Sequence, residues 1–370
     1  MKLETLQENF SRALSVASRF ASAKAQLPVL GNIYLSANTN KLLICSTNLE
    51  VSVAIAIGAK VVTGGEITIP SRVISELITN LTPGPITLTS EKEVLEISSS
   101  NFSSSISGMN AADFPKVPES LGKNPFSIPK DVLLQALSQV SFAASVDETR
   151  PVLTGVLFLF KKGGVTLVAT DGFRLSQKKL ALKTFEKEKN MILPKGALLE
   201  LSRLTNEDED ISFSVREEDN QVVFGVGDMV LTTRVLDGEF PDFEKIIPKE
   251  TRVRVSVDKE DFLRGVKLAS VFARDSANIV RLSLKKDGVF IQAESQMAGR
   301  GESVIEAKIE GSTTNGFEIT FNYRFLEEFL HAVPGEDVVI GLSSENSPGV
   351  FTDPSDPNFL HLIMPVRVQG

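Results

Sequence analysis

Two hydrophobic periods alternate along this chain. Near the N-terminus, Leu6, Phe10, Ala13, Leu14 and Ala17 recur at three- and four-residue steps. That spacing predicts a helix with one apolar stripe. Arg12 and Arg19 lie seven apart, nearly opposite the stripe, and Glu8 shares and weakens their positive face. Short apolar runs follow at 29–35, 41–46, 51–57 and 66–69, separated by Asn, Gly and Thr. They predict strands. Ser71 is placed to cap a second helix over 73–81, which Thr-Pro-Gly-Pro stops. Three more strands are expected at 86–89, 94–98 and 102–107, and the alternation over 210–215 predicts a strand with one wet face. The expected fold class is α+β, with antiparallel sheets backed by helices.

The pattern then repeats. ITIPSRVISEL, MILPKGALLEL and FEITFNYRFLEEF are three versions of one strand-helix junction, and Pro70, Pro194 and Asn322 fall 124 and 128 residues apart. LPVLGNIYL pairs with RPVLTGVLFL, and CSTNLEVS with VATDGFRLS, at a shift of 123. DFP, EFP and IMP, ending at Pro115, Pro241 and Pro365, keep the same step. A period this long is a repeated domain, since solenoid periods run at roughly 20–50 residues. Three domains are expected, at 1–122, 123–250 and 251–370, joined by Pro-rich tethers. Each half of a copy reads as a helix joined to three or four strands.

The third copy differs in one helix, expected over 259–274. Its core stripe is Phe262, Val266, Ala269 and Ala273, yet Leu268, Val271 and Phe272 form a second apolar group on another side. Either the helix is buried on two faces within its own domain, or the group is a contact between subunits.

Composition removes several classes. No run of about 18 apolar residues exists, so no membrane span is expected. The N-terminus lacks the apolar core of a signal peptide, and one cysteine, Cys45, excludes an intrachain disulfide. A cytoplasmic location fits. The net charge of −8 argues against a protein wrapped in positive surface, but not against a few cations gathered on one face. His331 on a helix and His361 in a strand have no metal-ligand spacing. The acidic run from Asn206 to Asp210 reads as a solvated loop tip, with cation binding as the rival reading. GVGD at 225–228 reads as a tight hairpin turn, and so does TDGFRL at 170–175, despite its bulky Phe173 and Arg174. The apolar terminal strand LHLIMPVRV reads as core, with Pro365 able to leave an edge unpaired.

Taken together, LPVLGNIYL, IPSRVISELI, NAADFP, TDGFRL, LDGEFPDFEKIIP and MPVRV resemble the bacterial beta sliding clamps, the processivity subunits of DNA polymerase III. The similarity spans essentially the whole chain. It implies a head-to-tail homodimer whose six domains close a ring around duplex DNA, helices lining the hole and sheets outside. It implies no catalysis and no cofactor. The implied partners are sequence-independent duplex DNA, an ATP-driven clamp loader, the replicative polymerase and other proteins carrying a clamp-binding motif. The helical cations Arg12, Arg19, Arg72, Arg203, Arg264 and Lys267 are candidates for a positive lining.

Carried over residue by residue, the resemblance places DNA contacts at Lys24, Arg72 and Arg150. It places a partner-peptide pocket at Leu153, Thr170, Gly172, Phe173, Arg174, Leu175, Pro241, Ile246, Ile363, Met364, Pro365, Val366 and Arg367. Apolar walls there would take side-chain anchors, and an arginine would hold a backbone or carboxylate. The implied dimer interface sets Leu268, Val271 and Phe272 against an edge near Ile106. Two departures stand out. Val368, Gln369 and Gly370 extend past the usual end, and Phe173 replaces a frequent histidine, leaving a more apolar wall. Two rivals stay open: a client-binding scaffold that never encircles DNA, and a metal-dependent hydrolase using Asp208 and Asp210.

Overall fold

Side chains decide locally whether each apolar run becomes helix or strand, and the computed structural model resolves the outcome. It describes residues 1–22, 27–122, 125–182, 188–204, 210–286, 288–311 and 317–367. In the first copy, strand β1 (Lys2–Leu6) precedes helix α1 (Gln7–Ala17). Strands β2 (Asn32–Asn38), β3 (Lys41–Thr47), β4 (Val51–Gly58) and β5 (Lys60–Thr63) follow. Then β6 (Gly65–Pro70) leads into α2 (Ser71–Asn80), and β7 (Pro85–Glu91), β8 (Val94–Ser98) and β9 (Ser103–Ser107) end the copy.

The second copy runs β10 (Phe126–Ile128), α3 (Lys130–Val140), β11 (Gly155–Lys161), β12 (Gly164–Thr170) and β13 (Arg174–Ala181). It continues with β14 (Lys189–Pro194), α4 (Lys195–Leu204), β15 (Ile211–Arg216), β16 (Gln221–Val226) and β17 (Met229–Arg234). The third runs β18 (Val253–Asp258), α5 (Lys259–Ala273), β19 (Ile279–Lys285), β20 (Gly288–Ser295), β21 (Gly299–Ile305) and β22 (Lys308–Gly311). It closes with β23 (Phe317–Asn322), α6 (Tyr323–Ala332), β24 (Asp337–Leu342), β25 (Gly349–Asp353) and β26 (Asp356–Ile363). Each half-copy is strand, helix, three strands, and the first halves of the first and third copies add a short fourth, β5 and β22.

Three local expectations are corrected. The chain opens on β1, so Leu6 belongs to a strand and is exposed, and the helical stripe begins at Phe10. Ser71 lies inside α2 and makes no capping bond; Pro70 precedes it with an extended backbone. The short edge strands β5 and β22 carry too few alternating residues to stand out from loops. The two hairpin turns form as expected, and Gly227 and Gly172 supply the positive φ that each needs. His331 and His361 occupy the expected helix and strand.

Among the described residues every strand pairing is antiparallel, and the pairings ignore the copy boundaries. The chain divides into two compact units, residues 1–130 with 196–235, and residues 131–195 with 236–370. The first unit holds the sheets β5-β1-β7-β8-β9 and β10-β15-β16-β17-β4-β3-β2-β6. In it α1 buries Phe10, Ala13, Leu14 and Ala17 and packs on α2, β3 and β4. The second unit holds β14-β11-β12-β13-β26-β25-β24-β18-β22 and β21-β20-β19-β23. There α5 lies across β19, β20 and β21 and against α6, and Phe262, Val266, Phe329 and Phe351 build the core. Gly265 lets α5 approach, since an added Cβ would lie 2.7 Å from Ile291.

The β13–β26 join in the second unit buries unusual chemistry. Ser176 and His361 face each other in register and share a 2.6 Å hydrogen bond between Oγ and Nδ1. His361 is fully buried and stacks on Phe329 with ring centroids 5.2 Å apart. Burial, and then the Arg174 guanidinium, hold its pKa well below the ordinary 6.5. Nearby, Lys178 pairs with Asp356, which also accepts from the Gln139 amide at 2.9 Å. Burial works against that carboxylate, but Lys178 and Gln139 hold its pKa below the ordinary value.

Because the unfolded chain binds a proton at His361 below about pH 6.5 and the folded chain does not, acidification stabilises the unfolded state. Below that pH, stability should fall by about 1.4 kcal/mol per unit more steeply in this protein than in His361→Gln. Urea unfolding between pH 7 and pH 5 reads the difference; equal slopes would refute a neutral buried histidine.

Candidate partner-peptide groove and nucleic-acid contacts

The groove grows from one turn. Between β12 and β13, the Thr170 hydroxyl donates to the Arg174 carbonyl at 2.6 Å and accepts the Gly172 amide at 3.0 Å. The Asp171 carboxylate accepts the amides of Phe173 and Arg174 at 2.9 and 3.0 Å. A turn satisfied by its own side chains needs no neighbour to hold its shape. It leaves Phe173 projecting, 66% exposed.

The opposite wall is the chain end. β26 pairs with β13 as far as Ile363, and the Met364 amide then donates to the Phe173 carbonyl at 2.8 Å. Two residues on, Val366 donates to the Thr320 carbonyl at 2.9 Å and accepts from the Thr320 hydroxyl. Met364 is exposed and Pro365 and Val366 half-buried. The third wall is the loop around Phe243, whose ring is buried while Ile246 and Pro241 stay exposed. Beneath lies an apolar floor of Leu157, Val168, Leu175, Ile192 and Leu362, with Val152 and Phe240 packed against it. A Cβ on Gly155 would lie 2.6 Å from Ile192 and 2.8 Å from Leu236, so glycine is needed there.

The thirteen expected groove residues therefore separate by depth. Gly172, Phe173, Pro241, Ile246, Met364 and Arg367 are exposed at the rim. Leu153, Thr170, Arg174, Leu175 and Ile363 are buried and support it from below.

Arg174 corrects the expectation of a ligand-holding arginine. It is 9% exposed, and its guanidinium is fully engaged inside the unit. It bonds Asp171 at 3.1 Å, Glu328 and the Phe142 carbonyl at 2.9 Å. It also lies 4.4 Å from the Phe325 ring centroid. Half-buried Lys195 sits beside it, and burial and then Arg174 lower the lysine pKa. Arg174 thus positions the turn, and Arg367, the other expected arginine, is exposed. Asp171 was findable as a turn-forming residue before glycine, whereas Glu328, 154 residues away, carried no signal.

Of the DNA candidates, Arg72 is exposed in the first turn of α2. Arg150 is exposed in a turn where Asp147 accepts the Thr149 amide at 2.9 Å. Lys24, the acidic run at 206–209 and the last three residues lie outside the described residues. In the first unit, Arg12, Arg19 and Arg203 line one groove of about 380 Å³. Glu200 bonds Arg203 and lies 3.7 Å from Arg19, a neutralisation the sequence reading missed. Arg264 is paired with Asp261 at 3.0 Å. On α5, Leu268 and Val271 are 57% and 55% exposed, so the helix is not buried on two faces. Phe272 lies half-buried over Gly301, where a Cβ would meet its ring at 2.4 Å. Ile106 is buried on β9.

Comparison with known proteins matches this chain along its length. Models of the N-terminal, central and C-terminal domains of the DNA polymerase III beta subunit match residues 1–118, 127–242 and 244–367. The beta sliding clamp of Synechocystis sp. is 31% identical, with all of both chains covered. The DNA polymerase sliding clamp of Bacillus subtilis has a solved structure at TM-score 0.94 and 25% identity, again covering all of both chains. The DNA polymerase III subunit beta of Pseudomonas aeruginosa superposes at TM-score 0.93 and 26% identity, over 99% of this chain and all of that one. Three repeats of one antiparallel architecture and these full-length matches agree: the chain belongs to the DNA polymerase III beta subunit family, the beta sliding clamps.

Proposed function

We propose that two copies of this chain close head to tail into a non-catalytic ring around duplex DNA. The ring tethers the replicative polymerase and other partners through the Phe173–Met364 groove. The domains are the three copies, 1–122, 123–250 and 251–370, and the site of action is the cytoplasm. Among the described residues no helix is long and apolar enough to cross a membrane.

Strand order carries this reading. The last strand of the second copy, β17, pairs with the fourth strand of the first, β4. The last strand of the third, β26, pairs with the fourth of the second, β13. Applied once more, the rule joins β9, the last strand of the first copy, to β21, the fourth of the third. Both are open edges in one chain. A rule that leaves one donor edge and one acceptor edge per chain favours head-to-tail assembly of copies. Exposed Leu268 and Val271 on α5, with Phe272 beside β21, supply apolar cover for that joint, while Ile106 is buried within its own unit and marks only the β9 edge.

The DNA role rests on the exposed cations Arg12, Arg72 and Lys267, which have no ion pair among the described residues, and on Arg150 and Lys24. A few loose phosphate contacts suit a ring that must slide. A clamp loader is needed because a closed ring has no free end to thread. The groove accepts short peptides whose apolar anchors reach the floor between Phe173, Ile246 and Met364. Met364 adapts its shape to different clients.

Light scattering at low micromolar concentration should give twice 40.2 kDa for this protein. The variant Leu268→Asp/Val271→Asp should give one chain's mass with unchanged circular dichroism; an unaltered dimer would remove α5 from the joint. Met364→Ala and Phe173→Ala should each weaken a fluorescein-labelled peptide with two apolar anchors by about 1–2 kcal/mol. Unchanged anisotropy titrations would place the groove elsewhere. After loading on a closed DNA circle, protein should be retained through gel filtration and lost once the circle is cut. Equal loss from intact circles would favour a scaffold that never encircles DNA.

A further inference from the structure

The β4–β17 join in the first unit repeats the β13–β26 join of the second, bond for bond. The Thr47 hydroxyl donates to the Val51 carbonyl at 3.1 Å and accepts the Leu49 amide at 3.0 Å. Asn48 accepts the amides of Glu50 and Val51 at 3.0 and 2.8 Å, as Asp171 does for its turn. Arg234 closes onto the Glu50 carbonyl at 3.1 Å, as Met364 closes onto Phe173.

The side chains below the turn are not repeated. Strand register sets Leu157, Val168, Leu175, Ile192 and Leu362 of one floor against Tyr34, Cys45, Ser52, Thr68 and Thr232 of the other. Four of these five positions carry a hydroxyl, and the fifth, Cys45, carries a thiol. The Thr232 hydroxyl is buried with no hydrogen-bond partner. On the same side of the sheet a cavity of about 390 Å³ is bounded by Tyr34, Cys45, Glu66, Phe114, Lys116 and Glu119. The Tyr34 and Phe114 rings stack with centroids 5.4 Å apart. The Tyr34 hydroxyl donates to Glu66. Glu119 and Cys45 bound the same cavity; burial and then this carboxylate push the thiol up to about 12, so it stays neutral.

We propose that this cavity is a recognition pocket for an arginine side chain of a partner peptide. A planar guanidinium can stack on the Tyr34–Phe114 pair and give hydrogen bonds to the Glu66 and Glu119 carboxylates. Lysine lacks the planar face. An apolar anchor would offer nothing to the Glu66 and Glu119 carboxylates that bound the cavity. Lys116 on the rim offsets one of the two carboxylates, so the pocket keeps a single net negative charge. The assignment does not depend on the ring or on the apolar groove of the second unit.

The test titrates the full chain with acetyl-Gly-Arg-Gly-amide and with its lysine and citrulline counterparts, followed by tyrosine fluorescence. The chain has two tyrosines and no tryptophan, and Tyr323 is buried, so Tyr34 reports. The arginine peptide should saturate the signal, and the isosteric citrulline peptide should bind about tenfold more weakly. Glu119→Gln, an exposed position, should cost the arginine peptide a similar factor while leaving the apolar-anchored peptide at the Phe173–Met364 groove unaffected. No saturable signal at tens of millimolar arginine peptide, equal affinity for citrulline or lysine, or an indifferent Glu119→Gln would each overturn the assignment.

Discussion

The last strand of one copy is paired with the copy before it, and that pairing requirement organises the molecule. An unpaired row of amides and carbonyls invites pairing with another chain. Here one copy's last strand pairs with the fourth strand of the copy before it, so no copy is complete alone. The compact units therefore cut across the repeat. The requirement also explains why the backbone at the joins is so uniform. Thr170–Arg174 and Thr47–Val51 fold through the same four side-chain bonds, because each must present a strand edge at the same height.

The same joins show how one scaffold acquires different chemistry. In the second unit the turn is backed by Arg174, whose charge is spent on Asp171, Glu328 and the Phe142 carbonyl. Such a buried cation is tolerable because each of its three nitrogens makes a hydrogen bond, two of them to carboxylates. Val51 stands in its place in the first unit, where no such network forms. The floor beneath is aliphatic in one unit and hydroxyl-bearing in the other, while the backbone is shared.

Much of this was legible in the sequence, for physical reasons. The strand and helix periods of the repeats reflect one-sided burial, and Pro70, Pro194 and Asn322 mark the same entry into a helix. Phe173 and Met364 are legible only through the resemblance, since spacing alone reads one as part of a plain turn and the other as part of a core strand. Pairings were not legible. Nothing in β26 alone says that it lies on β13 as well as on β25 of its own copy, and Glu328 meets Arg174 only through that fold. Burial was equally hidden. Arg174 and Phe173 are neighbours in the chain, yet one is enclosed and the other projects. The exposed Leu6 and the uncapped Ser71 show local rules overridden by β1 and by the backbone set at Pro70.

The wall formed by Met364 to Val366 has a kinetic meaning. It is held to the rest of the unit by backbone bonds at Met364 and at Val366, with Pro365 between them contributing no amide. Segments with so few ladder bonds open locally far more often than the sheet they leave. Amide exchange would therefore see this wall as a hinged margin on a rigid floor. In the proposed groove, a peptide's residence time would follow how often that margin lifts, and its selectivity would follow the floor.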